Sequence, residues 1–285
     1  MAQSIEPAVS RVVSGDGTEI GWVTSGTGPP LVLVHGMVSD HHRWDPLLPY
    51  LEPYVTVHAM DRRGRGLSGD APDYGVVREF EDVAAVVKAV AEASGSAVDV
   101  YGHSSGGLFA FGAATLSSRI RRLVLYEGWP VPHPPASLFP PGFAERLESL
   151  LATGKSEAVA ETFFREVLDM PAEQFEAYRS QPSWRHRVAT AHTIPREIRT
   201  EHDHRWDAAV AATITVPVLL VTGGESPEAM RGDPETVAAG LPDARIAVVP
   251  GQQHVADVLA PETFAGILLT FLEDGPRDLC GSGTS

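Results

Sequence analysis

An α/β architecture is what this sequence predicts: a mostly parallel eight-stranded sheet flanked by helices and interrupted once by a helical insertion. Three observations carry that expectation. Short apolar runs recur along the 285 residues and alternate with longer helical stretches, the pattern of a parallel sheet covered on both faces. The alternation fails only over residues 129–207, where no strand reads and several amphipathic helices do. Gly102-His103-Ser104-Ser105-Gly106 stands between a strand and a small-residue helix, the setting in which a Gly-x-Ser-x-Gly run forms a sharp strand–turn–helix elbow.

The elements follow in order. The chain opens on a hairpin, with strands over 11–13 and 19–23 turned by Gly15-Asp16-Gly17. Buried strands are expected at 31–34, 55–60, 98–101, 122–126, 217–221 and 245–249. Helices are expected between them at 44–51, 76–93, 107–116, 227–240 and 261–272. After the strand at 122–126, Pro130-Val131-Pro132-His133-Pro134-Pro135 reads as a stiff, extended exit from the sheet. Helices near 143–151, 156–168, 171–180 and 184–201 then make up the insertion. The chain thus divides into a core, 1–128 and 208–285, and an inserted helical cap, 129–207. Ligands in open α/β sheets bind beyond the carboxyl ends of the strands, so the cap is expected to cover that edge.

Composition narrows the function. A formal net charge of −15 disfavours nucleic acid and anionic membrane surfaces as partners. The one basic cluster, Arg62-Arg63-Gly64-Arg65, is turned by a glycine and reads as a structural loop. No apolar run approaches a membrane span, and the start lacks the basic and apolar segments of a signal peptide. A single cysteine, Cys280 in a Gly/Ser-rich tail, permits no disulfide within the chain, and a soluble cytoplasmic protein is expected. His202-Asp203-His204 lacks a further ligand and stands among Glu201, Arg199 and Arg205, so a solvated charged helix is expected there and no metal.

The chemistry gathers at the strand ends. Ser104 at the elbow centre sits at the positive N-terminus of a helix, and its hydroxyl needs a base to become a nucleophile. His254 lies on the loop after the last strand and before the last helix, where it can reach across the sheet edge. His35, His58 and His103 lie in or beside early strands and read as packed, hydrogen-bonded side chains. Two carboxylates compete to orient the imidazole. Glu127 ends an apolar strand one strand after the serine, and Glu225 follows the strand at 217–221. Whichever loses is expected to be a loop or N-cap carboxylate. The strand Leu31-Val32-Leu33-Val34 ends in His35-Gly36-Met37, a turn expected to expose the Met37 N–H beside that of Ser105 as an oxyanion hole. Pocket residues are expected at His35, beside that turn, and at Trp129, two residues past Glu127; any one insertion aromatic is otherwise packing between cap and core.

These blocks together resemble the α/β-hydrolase family of serine hydrolases with a helical lid. The resemblance is carried by 31–37, Asp61-Arg62-Arg63-Gly64-Arg65-Gly66-Leu67-Ser68, 102–107, Tyr126-Glu127, 223–227 and 251–254, in family order over about 17–128 and 214–273. In the family the acid usually follows the penultimate strand. Here one of its two usual positions is Ser226, which leaves Glu225, while a minority of members place the acid one strand earlier, at Glu127. The resemblance implies no metal and no organic cofactor. Hydroxynitrile lyases of this fold need a lysine near the serine, whereas the two lysines here, Lys88 and Lys155, lie on an outer helix and a lid turn. Epoxide hydrolases and dehalogenases of the fold need aspartate where Ser104 stands.

The expectation is therefore a hydrolase cleaving an ester, lactone or thioester of a small to medium apolar substrate through a Ser-His-acid triad and an acyl-enzyme. The alternatives are a cofactor-free C–C hydrolase, acyltransferase or perhydrolase with the same triad, or a ligand-binding member with negligible turnover.

Overall fold

Eight strands join one sheet in the order β1-β2-β4-β3-β5-β6-β7-β8 in the computed structural model, which describes residues 8–130, 139–168, 170, 172–181, 183–200 and 205–273. The strands are β1 (Ala8–Val13), β2 (Glu19–Gly26), β3 (Pro30–Val34), β4 (Thr56–Met60), β5 (Val98–His103), β6 (Ile120–Tyr126), β7 (Val218–Gly223) and β8 (Ala244–Val249). β1 and β2 form the antiparallel hairpin, and β2 runs antiparallel to β4. From β4 across to β8 every pairing is parallel. All strand ends from β3 to β8 therefore open on one edge. β3, β5 and β7 are buried along their whole length; β3 and β7 accordingly read as apolar runs, whereas β5 also buries Asp99, which accepts from Arg121.

Helices cover both faces. α1 (Val76–Ser94) buries Val76, Phe80, Val83, Val87, Val90 and Ala91, an i, i+3/i+4 stripe, and stops where Gly95 turns into a left-handed conformation. α2 (Ser105–Leu116) is apolar almost all round, because it packs against α1 on one side and against β3, β5 and β6 on the other. The opposite face carries Trp44, Leu47, Leu51 and the last described helix, Pro261–Glu273, through Phe264 and Leu268. Two expected helices of the core are broken. Residues 44–51 split into a 3₁₀ turn (His41–Trp44) and a short helix (Leu48–Leu51), and 227–240 splits into Glu228–Arg231 and Pro234–Ala239 around Gly232, whose φ is 60°.

Between β6 and β7 the chain is helical: α3 (Phe143–Ala152), α4 (Ser156–Glu166), α5 (Ala172–Arg179), α6 (Trp184–Thr190) and α7 (Ile194–Arg199). The expected helix over 184–201 is two, with a 3₁₀ turn (Ala191–Thr193) between them and Pro195 opening the second. Phe143, Leu147, Val159, Phe163, Phe164, Phe175 and Trp184 form an apolar cluster of their own, closed by Val38 of the core. The proline-rich exit from the sheet (beyond Pro130), the His202-Asp203-His204 stretch and Cys280 lie outside the described residues. Among the described residues no helix is long and apolar enough to cross a membrane.

His58 on β4 faces Thr24 on β2, with Nδ1 3.1 Å from the Thr24 hydroxyl oxygen. Burial pushes its pKa from 6.5 to about 4. Between these values the unfolded chain holds the extra proton and the folded chain does not, so this histidine contributes stability above pH 6.5 that is lost as pH falls towards 4. Urea unfolding of His58→Gln should accordingly lose less of its midpoint between pH 7 and pH 4.5 than the parent protein does. An equal loss in both proteins would contradict this assignment.

Candidate active site

Three residues other than glycine hold a positive φ among the described residues, and all three stand at the carboxyl edge: Val38 at 52°, Ser104 at 55° and Glu127 at 44°. Such conformations cost energy and persist only where the surroundings enforce them. At Ser104 the enforcement is visible. Its N–H donates to Tyr126 O at 2.9 Å, continuing the β5–β6 ladder one residue past the strand, while its carbonyl already accepts from Gly107 N at 2.8 Å to start α2. The turn is possible because its neighbours lack Cβ atoms. A Cβ on Gly106 would sit 2.2 Å from Val34 O, and one on Gly128 would sit 1.8 Å from Ser104 O. Ser104 is thereby lifted off the strand at the N-terminus of α2.

Glu127 continues β6 in the same way, its N–H donating to Val221 O at 3.1 Å. Its carboxylate is fully buried, with a donor for each oxygen. Gly223 N donates to Oε1 at 2.7 Å and His254 Nδ1 donates to Oε2 at 2.7 Å. The carboxylate fixes the proton on Nδ1 and leaves Nε2 of His254 as the basic nitrogen. The loop carrying His254 is clamped as well. The Tyr126 hydroxyl donates to Gln253 O and accepts from Ala256 N at 3.1 Å, and His103 Nε2 donates to His254 O at 2.7 Å. Burial holds the His103 imidazole neutral, well below its ordinary pKa, which suits a donor in this role.

The turn after β3 brings Met37 to the same edge. Neither Met37 N–H nor Ser105 N–H donates to another group among the described residues. The strained Val38 is held from the insertion: Arg187 on α6 donates to Val38 O at 2.7 Å and also reaches the Ser39 hydroxyl. These groups meet at a cavity of about 210 Å³ lined by Met37, Ser104, Ser105, Glu127, Trp129 and His254, with an apolar wall that includes Leu108, Phe109 and Phe139. A serine hydroxyl, an imidazole bonded to a buried carboxylate and two N–H groups without an acceptor among the described residues, around one apolar cavity, are groups of the kinds that acyl transfer uses. Among the described residues no cluster of three or more His, Cys, Asp or Glu side chains is arranged to hold a metal ion.

Two of the candidate site residues do not line the cavity, and each stands as its alternative reading had it, a loop carboxylate and a packed histidine. Glu225 is exposed on the turn after β7, where its N–H donates to Gln252 O at 2.9 Å; that turn presents Gly223 N, and not a side chain, to the site. His35 is fully buried and does not line the cavity. Its Nδ1 donates to Gly36 O at 2.8 Å and its Nε2 accepts from Arg62 N at 3.2 Å, so both ring nitrogens serve the packing beneath the elbow. Trp129 does line the cavity, and it is also part of the core cluster on the α1–α2 face of the sheet. Sequence reading missed the loop clamp by Tyr126 and His103, and the contact of Arg187 with the turn after β3. Tyr126 adjoins Glu127 and was visible only as strand; Arg187 lies 149 residues from Val38 and carried no signal.

Residues 31–267 match the profile of the alpha/beta hydrolase family. The chain is similar to a solved alpha/beta hydrolase from Sphaerobacter thermophilus, 36% identical with a TM-score of 0.77, covering 92% of this chain and 100% of that one. It is 28% identical over 280 residues to a non-heme haloperoxidase from Rhodococcus erythropolis, covering 92% of this chain and 98% of the relative. It is also 27% identical over 259 residues to a pimeloyl-[acyl-carrier protein] methyl ester esterase from Neisseria meningitidis serogroup B, covering 86% and 93% respectively.

Proposed function

We propose that this chain, which belongs to the alpha/beta hydrolase family and is an enzyme of it, is a serine hydrolase cleaving esters, lactones or thioesters of small to medium apolar acids. The observation that carries the reading is the 2.7 Å hydrogen bond from His254 Nδ1 to Glu127, made while the imidazole lines the same cavity as Ser104. A buried carboxylate, a histidine and an elbow serine converging on one apolar cavity have a known chemical use.

In this mechanism His254 Nε2 takes the Ser104 hydroxyl proton as Oγ attacks the substrate carbonyl. The negative oxygen of the tetrahedral intermediate is held by the N–H groups of Met37 and Ser105, aided by the positive end of α2. Glu127 holds the imidazole in the tautomer that presents Nε2 and stabilises the imidazolium. His254 then protonates the leaving oxygen or sulfur, and the acyl group remains on Ser104. Water, deprotonated by the same histidine, attacks the acyl-enzyme; the acid leaves and Ser104 regains its proton. The helical insertion acts as a lid, and Phe139 from it, with Trp129, supplies part of the apolar wall against the acyl chain.

Ser104→Ala should abolish turnover of p-nitrophenyl esters of short acids and covalent labelling by a fluorophosphonate, read by intact mass. Labelling that persists in the folded variant would remove Ser104 from the nucleophile's role. Exchanging the two carboxylates separately for amides tests the rest. Glu127→Gln should lose roughly 10⁴-fold in kcat, the cost of the wrong imidazole tautomer, while Glu225→Gln keeps nearly full turnover. The reverse ranking, in variants of matched thermal stability, would move the acid's role to Glu225.

A further inference from the structure

The wall of the cavity holds a charge that the mechanism does not use. Glu197, on α7 of the insertion, lines the cavity and is only 6% exposed, among Val76, Phe109, Phe139 and Met230. Its Oε2 accepts from Arg62 Nη2 at 2.7 Å, and its Oε1 accepts from Arg65 Nη2. Both arginines are buried behind the cavity wall. Arg62 is paired a second time, with Glu79 at 2.7 and 3.0 Å; its guanidinium lies 4.3 Å over the Phe109 ring, and its Nη1 stands 3.3 Å from the Ser105 hydroxyl. Arg65 is less well served. It reaches Arg63 O and the Thr193 hydroxyl, and among the described residues Glu197 is its one carboxylate and its buried Nε has no partner. Arg62 and Arg65 against Glu79 and Glu197 leave this group with no net charge.

We propose that Glu197 sets the substrate class of the cavity, occupying the Arg62–Arg65 pair as a substrate carboxylate would, so that the enzyme takes acyl groups whose far end is uncharged. This deepens the serine-hydrolase reading and rests on it. A ligand carboxylate brought to this wall meets the Glu197 carboxylate, while the two cations behind it are already engaged. It would lose its hydration without gaining a partner, the like-charge arrangement by which binding sites reject wrong ligands. Buried ion pairs are a weak source of stability compared with apolar packing, so their placement on a substrate wall is more readily understood as selection. Because Glu197 comes from the insertion and the arginines from the core, the selecting element is assembled only when the two are docked.

The test compares p-nitrophenyl hexanoate, mono-p-nitrophenyl adipate and the methyl ester of that adipate on the parent enzyme. The two neutral substrates should exceed the acid at least roughly tenfold in kcat/KM. Equal turnover of the acid would overturn the proposal. Glu197→Ala should then gain a site for small carboxylates: acetate at tens of millimolar raises its Tm, has no such effect on the parent protein, and chloride at the same ionic strength does not replace it. Glu197→Gln, which keeps the shape and leaves one positive charge, should narrow the gap between hexanoate and adipate should the alanine variant not fold. A folded Glu197→Ala indifferent to acetate, or a glutamine variant with the parent's ranking, would overturn the proposal. Acetate binding requires no turnover, so it judges Glu197 separately; if no ester is cleaved and no fluorophosphonate reacts, it is the serine-hydrolase reading that falls.

Discussion

A carboxylate buried at the end of a sheet must find donors, and the geometry of this edge follows from how Glu127 finds them. Its two oxygens take Gly223 N–H from β7 and His254 Nδ1–H from the loop after β8, so one side chain just past β6 ties together the ends of three neighbouring strands. Losing a donor would leave a buried charge short of partners, which costs several kcal/mol by the usual measure of broken buried pairs. The strained backbone of Glu127 is tolerable on that scale, since a positive φ at a non-glycine residue costs about 1–3 kcal/mol. The Tyr126 and His103 contacts then hold the backbone on either side of His254, so the imidazole has little freedom left to choose.

The other side of the edge is held from the insertion. Arg187 grips the Val38 carbonyl, next to the Met37 amide, and Glu197 grips Arg62, whose guanidinium stands beside the Ser105 hydroxyl. The Val38 carbonyl is thus one contact, and the Ser105 hydroxyl two contacts, from a helix of the insertion. A shift of α6 or α7 would be felt at those amides before it reached Ser104, whose position is set by the β5–β6 ladder and by the glycines packed around it. In this arrangement the sheet and its loops fix Ser104 and His254, while helices between β6 and β7 contact the turn after β3 and Arg62.

Much of this was legible in the sequence because local pattern and tertiary role coincide. Buried parallel strands read as apolar runs, the elbow read as its glycines, and His254 read as a loop residue between the last strand and helix. Glu127 and Glu225 could not be separated, since both follow strands that end on the same edge; what divides them is that one side chain points in while the other sits on an exposed turn. His35 misled for a related reason. It lies two residues from Met37, but its ring is held under the elbow by Gly36 O and Arg62 N and does not reach the cavity. The long-range arginine contacts, between residues 128 to 149 apart, had no sequence signature at all.

The most direct test of the account is a crystal structure of the protein after reaction with a small fluorophosphonate. The account predicts phosphorus bonded to Ser104 Oγ, the phosphoryl oxygen within hydrogen-bonding distance of both Met37 N and Ser105 N, and His254 still bonded to Glu127. Phosphorus on any other residue, or a phosphoryl oxygen directed away from both amides, would contradict it.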